Sequence, residues 1–523
     1  MILFSLLSAS CCILNKSGAN CDKDNDGIAN RIDNCPDVAG FANLNGCPDT
    51  TSLSLSTPSA DPNDTTKDWT FLIYMNADNN LEQFSLIDFY EMAKVGSTQK
   101  VNIIVQLDRA EGYSTEYGDW KQTLRFKVEK NMQPIVSNAT MDLGEVNMCD
   151  STALSDFIQW GHQNYPAKRY ALVIWSHGAG WRSIPEIDST NSSPAIASNS
   201  NYLDRIQRVM ISKSKNNSVA KALITKTNEQ VLTEYKNLKK LDSTIGMTRA
   251  PLLSSVKAIV ADFSSNDILY NRKIQNVLLK LKSNNNYKVD LVGFDACLMG
   301  MIETGYAMRN ACEVMVASEE VVPGNGMDYN RVFSALVNNS NLSSNEMGVL
   351  IVDKFREAYS SAGEGTTMSS VNLSKMDLVA NEISSLSDSM ISNFQTEKDN
   401  IHGARISCLE YSSTNSIDLI NFLTSYRSKT TNQNIKSKIN NLIILLNLSI
   451  TNRYCDELRC ESGANPQYGS NGLAIFFPKS KFEFNRENDS DAYLESNNNH
   501  PVEFVQNHRW DNFIAKYINE YLY

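Results

Sequence analysis

Two strand-like runs each end on a residue that can do chemistry. YALVIWS (170–176) leads into His177, followed by Gly178, Ala179, Gly180 and Trp181, and VDLVGF (289–294) leads into Asp295, Ala296 and Cys297. A thiol is a nucleophile only as its thiolate, and a neighbouring imidazole can accept or balance that proton. In an open α/β sheet, ligands gather beyond the carboxyl ends of the strands, so the two strand ends would deliver both groups to one side. The glycines beside His177 would let a substrate backbone approach. LMGMIETGYAM after Cys297 carries a helical pattern, and a helix N-terminus at Cys297 would favour the thiolate. Singly, a cysteine after a buried strand is a small core residue and a histidine before glycine is a turn residue. The pair together points to thiol catalysis.

A second group sits near the N-terminus, in CDKDNDGIANRIDNCPDVAGFANLNGCPD (21–49). Asp22, Asp24 and Asp26 alternate, Gly27 allows a sharp turn, and Asp33 stands at the place of a twelfth loop ligand. Such spacing converges carboxylates on calcium, which takes six to eight oxygens. The sequence leaves open a second calcium site in the catalytic domain. Other chemistries lack their residues. With five histidines (His162, His177, His402, His500, His508) there is no HExxH or clustered ligand spacing. No G-x-S-x-G elbow and no phosphate-binding glycine loop occur.

Buried strands must position the pair. TFLIYM (70–75), VNIIVQLD (101–108), YALVIWS, VDLVGF and VMVAS (314–318) are continuous apolar runs, and LRFKV (124–128) alternates like a sheet edge. Helical spacing marks LEQFSLIDFYEMAKV (81–95) and SDFIQWGHQNY (155–165). The alternation predicts an α/β fold, a mostly parallel sheet sandwiched by helices. Residues 331–465 read as mainly helical, and NGLAIFFP (471–478) as a late strand. Residues 184–260 are rich in Ser, Asn and Lys and read as a polar insertion.

The chain has 523 residues, and 59 acidic residues outweigh 48 basic ones for a net charge of -11, against nucleic-acid binding. Met1 to Ser10 form an apolar run too short to span a bilayer, read as part of a signal segment (1–20). Small residues before Cys11 and Cys12 resemble a lipoprotein cleavage site. Export, to the medium or to the cell surface with a lipidated N-terminal cysteine, is therefore expected. The 11 cysteines, with Cys11, Cys12 and Cys297 set aside, leave eight that could pair. Residues 50–67 are a Ser/Thr/Pro/Asp-rich linker. The expected organisation is signal 1–20, calcium loop 21–49, linker 50–67, catalytic domain 68–335 and a C-terminal part 336–523, acting as a monomer.

SHGAGW and GFDACLMG, with YMNADNNLE, VNIIVQLDRA, SEEVVPGNGMDY and GLAIFFP around them, resemble the clostripain-like cysteine peptidases, in the clan of caspases, legumain and gingipains. The resemblance covers roughly residues 68–335 and is patchy beyond. It implies a caspase-like sheet, with Cys297 as nucleophile, His177 as general acid/base, and the backbone N–H groups of Gly178 and Cys297 as the oxyanion site. It further implies cleavage after Arg or Lys, with Asp295, or more weakly Asp328, pairing with the substrate cation. Relatives are cut between the two catalytic regions, and the 184–260 insertion offers Lys213, Lys215, Lys221, Lys226 and Arg249 to self-cleavage. Residues 21–49 resemble a thrombospondin type 3 repeat, in which Cys35 and Cys47 would pair. Two readings compete: a calcium-dependent surface-binding protein on an inactive scaffold, against which the intact pair speaks, and cleavage after Asn or Asp.

Overall fold

The computed structural model describes residues 66–110, 113–178, 180–181, 260–262, 264–265, 267–360, 365–412, 415–456, 469–481, 484, 493 and 502–521. The chain divides into residues 1–65 and 66–523. The signal segment, the calcium loop with Asp22, Asp24, Asp26 and Asp33, and nearly all of the insertion lie outside the described residues.

The apolar runs become the centre of one large sheet. Its strands are β1 (Lys67–Ala77), β2 (Val101–Arg109), β3 (Thr123–Lys127), β4 (Met141–Asp142), β5 (Ala167–Trp175), β8 (Leu291–Asp295), β9 (Val314–Ala317), β10 (Thr367–Asn372) and β12 (Ile450–Cys455), in the order β12-β10-β9-β8-β5-β1-β2-β3-β4. The five central strands, β9-β8-β5-β1-β2, run parallel. They are buried along nearly their whole lengths, as strands covered on both faces must be. Antiparallel pairs close the two sides. Two short pairs stand apart: β6 (Val260–Asp262) with β7 (Asp267–Leu269), and β11 (Ser416–Asp418) with β13 (Ala474–Phe476).

Helices cover both faces. In helix α1 (Glu82–Val95), Asp88 takes the indole N–H of Trp175 at 2.6 Å. Tyr74 is registered with Ile174, so it points opposite to Trp175, and its ring packs 5.7 Å from Phe157 of α2 (Ser151–Asn164). Next come α3 (Asn271–Asn285), α4 (Ile302–Met308), α5 (Tyr329–Asn338) and α6 (Ser344–Tyr359), the last closed by a Ser343–Glu346 capping box. The C-terminal part adds α7 (Met376–Ser392), α8 (Phe394–Arg405), α9 (Leu419–Lys429), α10 (Gln433–Ser449) and α11 (Trp510–Glu520).

The expected mostly parallel, helix-covered sheet is present, with three departures. Residues 331–465 are helical in the main but also supply β10 and β12 to the same sheet, so the sheet crosses the boundary drawn at 335. Val260 opens the β6–β7 hairpin rather than ending a featureless insertion. The helix after Cys297 begins only at Ile302. The backbone of 298–301 is already engaged elsewhere: Leu298 N–H donates to Glu320 O, Gly300 N–H to Ser318 O, and Gly300 O accepts from Ala474 N–H. Leu298 is also in the left-handed region at φ 62°, a conformation that costs a non-glycine residue about 1–3 kcal/mol. A helix dipole therefore does not start at Cys297.

Candidate active site

β5 and β8 are adjacent and parallel, with Trp175 opposite Asp295. Two residues further along each strand come His177 and Cys297, so the register itself sets them side by side. The loops then touch through backbone. A Cβ on Gly178 would lie 2.1 Å from Cys297 O and 2.5 Å from Cys297 N. The close approach that requires this glycine is thus made by the cysteine loop, and not only by a substrate as the sequence suggested. Trp181, at the end of the same loop, is buried edge-on against Phe476 of β13 and Tyr493, with ring centres 5.0 and 4.7 Å away. The C-terminal part therefore braces both loops.

His177 is buried, and its Nε2 lies 2.7 Å from Oδ1 of Asn80. An amide oxygen accepts, so in this contact Nε2 donates to Asn80. Asn79 ties the same loop down: its Nδ2 donates to Ser176 Oγ at 3.3 Å and its Oδ1 accepts from Leu81 N–H at 2.9 Å. Sequence reading did not single out Asn80. The signal was there in NADNNLE, between a strand and a helix, but nothing in residue type separates Asn80 from Asn76 or Asn79 until the fold brings His177 alongside. Asn80→Ala should lower kcat by about 10²-fold with KM little changed, the loss typical of a misplaced reacting group. Its pH profile should shift, and Asn80→Asp should recover part of the rate. An unchanged kcat and pH profile in Asn80→Ala would remove this role.

Cys297 is fully buried, and its Sγ receives the Val322 N–H at 3.3 Å. That donor belongs to the 318–322 segment after β9, which is itself pinned. Thr367 Oγ1 accepts the N–H groups of Glu319 and Glu320, and Glu320 Oε1 accepts the Val321 N–H. The Val322 carbonyl oxygen lies 3.9 Å from the same sulfur. Four cysteines, Cys149, Cys297, Cys312 and Cys408, are buried outside any disulfide, so three of the eight cysteines left for pairing are not in disulfides. Burial pushes the Cys149 and Cys312 thiols up and Cys408 up to about 12, which keeps them protonated and inert. Cys455 is disulfide-bonded.

The two acidic candidates share one corner. Asp295 ends β8, fully buried, and its Oδ2 accepts the Met327 N–H at 3.1 Å and the Tyr329 hydroxyl at 2.9 Å. Met327 and Tyr329 flank Asp328, which caps α5 by accepting the Arg331 N–H and pairs with the Arg331 guanidinium, both at 2.9 Å. The arrangement thus provides an imidazole held by Asn80, a thiol that receives a backbone N–H, and a buried carboxylate two residues before the thiol. Nucleophilic acyl transfer is the chemistry that this set can perform.

Residues 73–214 and 242–517 match the Clostripain family. The chain is similar to clostripain of Hathewaya histolytica, 25% identical over 470 residues that cover 78% of this chain and 74% of the other. Its fold is similar to that of a secreted C11 cysteine protease from Bacteroides thetaiotaomicron solved with an irreversible peptide inhibitor (TM-score 0.50, 16% identity, 85% of this chain and 99% of that one). It is also similar to an inactive zymogen C11 protease from Parabacteroides distasonis (TM-score 0.50, 18% identity, 86% and 99%). No helix among the described residues is long and apolar enough to cross a membrane.

Proposed function

Because the chain belongs to the clostripain family of cysteine peptidases, we propose that it is an exported endopeptidase that cleaves after Arg or Lys through Cys297 and His177 and is itself cut between them. The observation that carries this reading is the β5–β8 register, which sets the His-Gly and Ala-Cys loops in backbone contact. Cys297 Sγ, as thiolate, adds to the scissile carbonyl, and the oxyanion is taken by the N–H groups of Gly178 and Cys297. Collapse breaks the C–N bond, and His177 delivers its proton to the leaving amine. Water, deprotonated by His177, then adds to the thioester, which releases the carboxylate product and restores the thiol.

Asp295 supports the basic specificity, since a buried carboxylate next to the nucleophile is a partner for guanidinium or ammonium. The burial of Cys297 supports processing, because the uncut chain covers the group that must meet substrate. A solved relative is described as an inactive zymogen. The Cys455 disulfide supports export, since disulfides persist in oxidising compartments. Lipid anchoring and the calcium loop at Asp22, Asp24, Asp26 and Asp33 belong to the same reading.

Fluorogenic peptides with Arg, Lys, Asn or Asp at P1, assayed in reductant and calcium, test it. Cleavage after Arg and Lys is expected, together with a nick in the 184–260 insertion that Cys297→Ala does not acquire. Preference for Asn or Asp would overturn the specificity, and identical gel patterns for the two proteins would overturn the self-cleavage.

A further inference from the structure

Two motifs noted in the sequence, SEEVVPGNGMDY (318–329) and GLAIFFP (472–478), meet at one buried carboxyl. Glu319 follows β9 and lies in the core. Its Oε1 accepts the Gly472 N–H at 2.6 Å, the Ser470 hydroxyl at 2.6 Å and the Tyr411 hydroxyl at 3.3 Å. The Tyr411 hydroxyl is shared with Asp418, 3.1 Å away, which also takes the Asn471 N–H at 2.5 Å. Gly472 is held from its other side, where its carbonyl accepts the Ser369 hydroxyl of β10 at 2.6 Å. Its φ of 105° would strain any side chain, so glycine lets the backbone meet both partners. Glu320 reaches the same part of the chain, through the Ser412 N–H at 3.1 Å.

The backbone of the same segment walls Cys297. Glu320 O accepts the Leu298 N–H at 3.1 Å, Ser318 O accepts the Gly300 N–H at 2.8 Å, and the Val322 N–H meets Cys297 Sγ. The fit is close: a Cβ on Gly300 would fall 2.8 Å from both Glu319 N and Ser318 C. Glu319 itself is a costly residue for a core. Its Oε2 is buried with no hydrogen-bond partner among the described residues, and burial pushes the carboxyl up to about 7 against the pull of the Ser470 hydroxyl. An apolar side chain would pack there at less cost, but it could not gather donors from residues 411, 470 and 472 onto one atom.

We propose that Glu319, seconded by Glu320, is a positioning residue for the nucleophile. It fastens the 318–322 segment to residues 411–412 and 470–472, and so fixes the Val322 N–H and the Leu298 backbone around Cys297. The inference rests on the reading of Cys297 given above. It makes the C-terminal part a working component of the site, because the donors that hold the wall of the thiol all lie beyond residue 410. Glu319 never meets substrate in this scheme. It acts through the backbone three residues further on, where Val322 touches the sulfur.

The test is kcat of the full chain on a Lys or Arg peptide, divided by the number of sites that an irreversible peptidyl inhibitor titrates, with Tm measured beside it. Dividing by titrated sites removes any loss that comes only from unfolded protein. Glu319→Ala should lower kcat per site by about 10²-fold with KM little changed, because the sulfur is misplaced while substrate contacts remain. Glu319→Gln keeps an acceptor for the same three donors and should return to within about tenfold of the parent rate. Should Glu319→Ala fold poorly, Ser470→Ala removes one donor alone and should cost about fivefold in kcat per site at a nearly unchanged Tm. A lower Tm with kcat per site unchanged in the folded variants would overturn the proposal and leave Glu319 a structural residue. An inhibitor adduct away from Cys297 in the unsubstituted chain would overturn the Cys297 reading and this inference with it, so the two failures are told apart.

Discussion

Cys297→Ala should lower kcat/KM by about 10⁴-fold or more, at roughly 1.4 kcal/mol of transition-state stabilisation per decade. His177→Ala should lose nearly as much, and the double variant little more than either. On the proposed mechanism the two groups act as one unit: the imidazole has no proton to move without the thiol, and the thiol no partner without the imidazole. β5 and β8 hold them in register, so neither substitution should disturb the strands that carry them. Initial rates on a Lys or Arg peptide, with the denaturation midpoint as a control for folding, check this. Additive losses would mean that the two residues contribute independently, contrary to a dyad.

Gly178→Ala should lower the rate by about 10²-fold in spite of adding a single methyl group. The new carbon would fall 2.1 Å from Cys297 O, 2.5 Å from Cys297 N and 2.9 Å from Ala296 C. All three are backbone atoms, so no side-chain rotation relieves the overlap, and the loops must separate. A shift of about 1 Å at reacting groups costs about 10²-fold in rate. It should also cost about 1–3 kcal/mol of stability, as overpacking does. Measuring kcat/KM beside a urea unfolding curve separates the effects: the rate loss should persist at temperatures where the variant is fully folded. Wild-type kinetics in Gly178→Ala would show that the loops need not touch.

Much of this was legible in the residues, for physical reasons. A parallel strand buried on both faces writes itself as an unbroken apolar run, so β1, β2, β5, β8 and β9 could be read directly. The chemistry-bearing loops then follow from the rule that strand ends host sites. β10 and β12 hid because their sequences carry no such run. Thr367, Ser369 and Ser370 are buried polar residues satisfied by hydrogen bonds, and β12 is a half-exposed edge. Helical periodicity after Cys297 was real, but it could not foretell that backbone bonds to Ser318, Glu320 and Ala474 would hold residues 298–301 out of the helix. Asn80 was illegible for another reason. It lies 97 residues from His177, and only folding brings the two together.

The most direct test is to trap the nucleophile. The full chain, incubated with a peptidyl chloromethyl ketone ending in lysine, should lose activity in step with one covalent adduct. Peptide mapping by mass spectrometry should place that adduct on Cys297, and none should form in Cys297→Ala. An adduct on Cys149, Cys312 or Cys408 that accompanies inactivation, or hydrolysis that continues with Cys297 fully labelled, would contradict the assignment of catalysis to the His177–Cys297 pair.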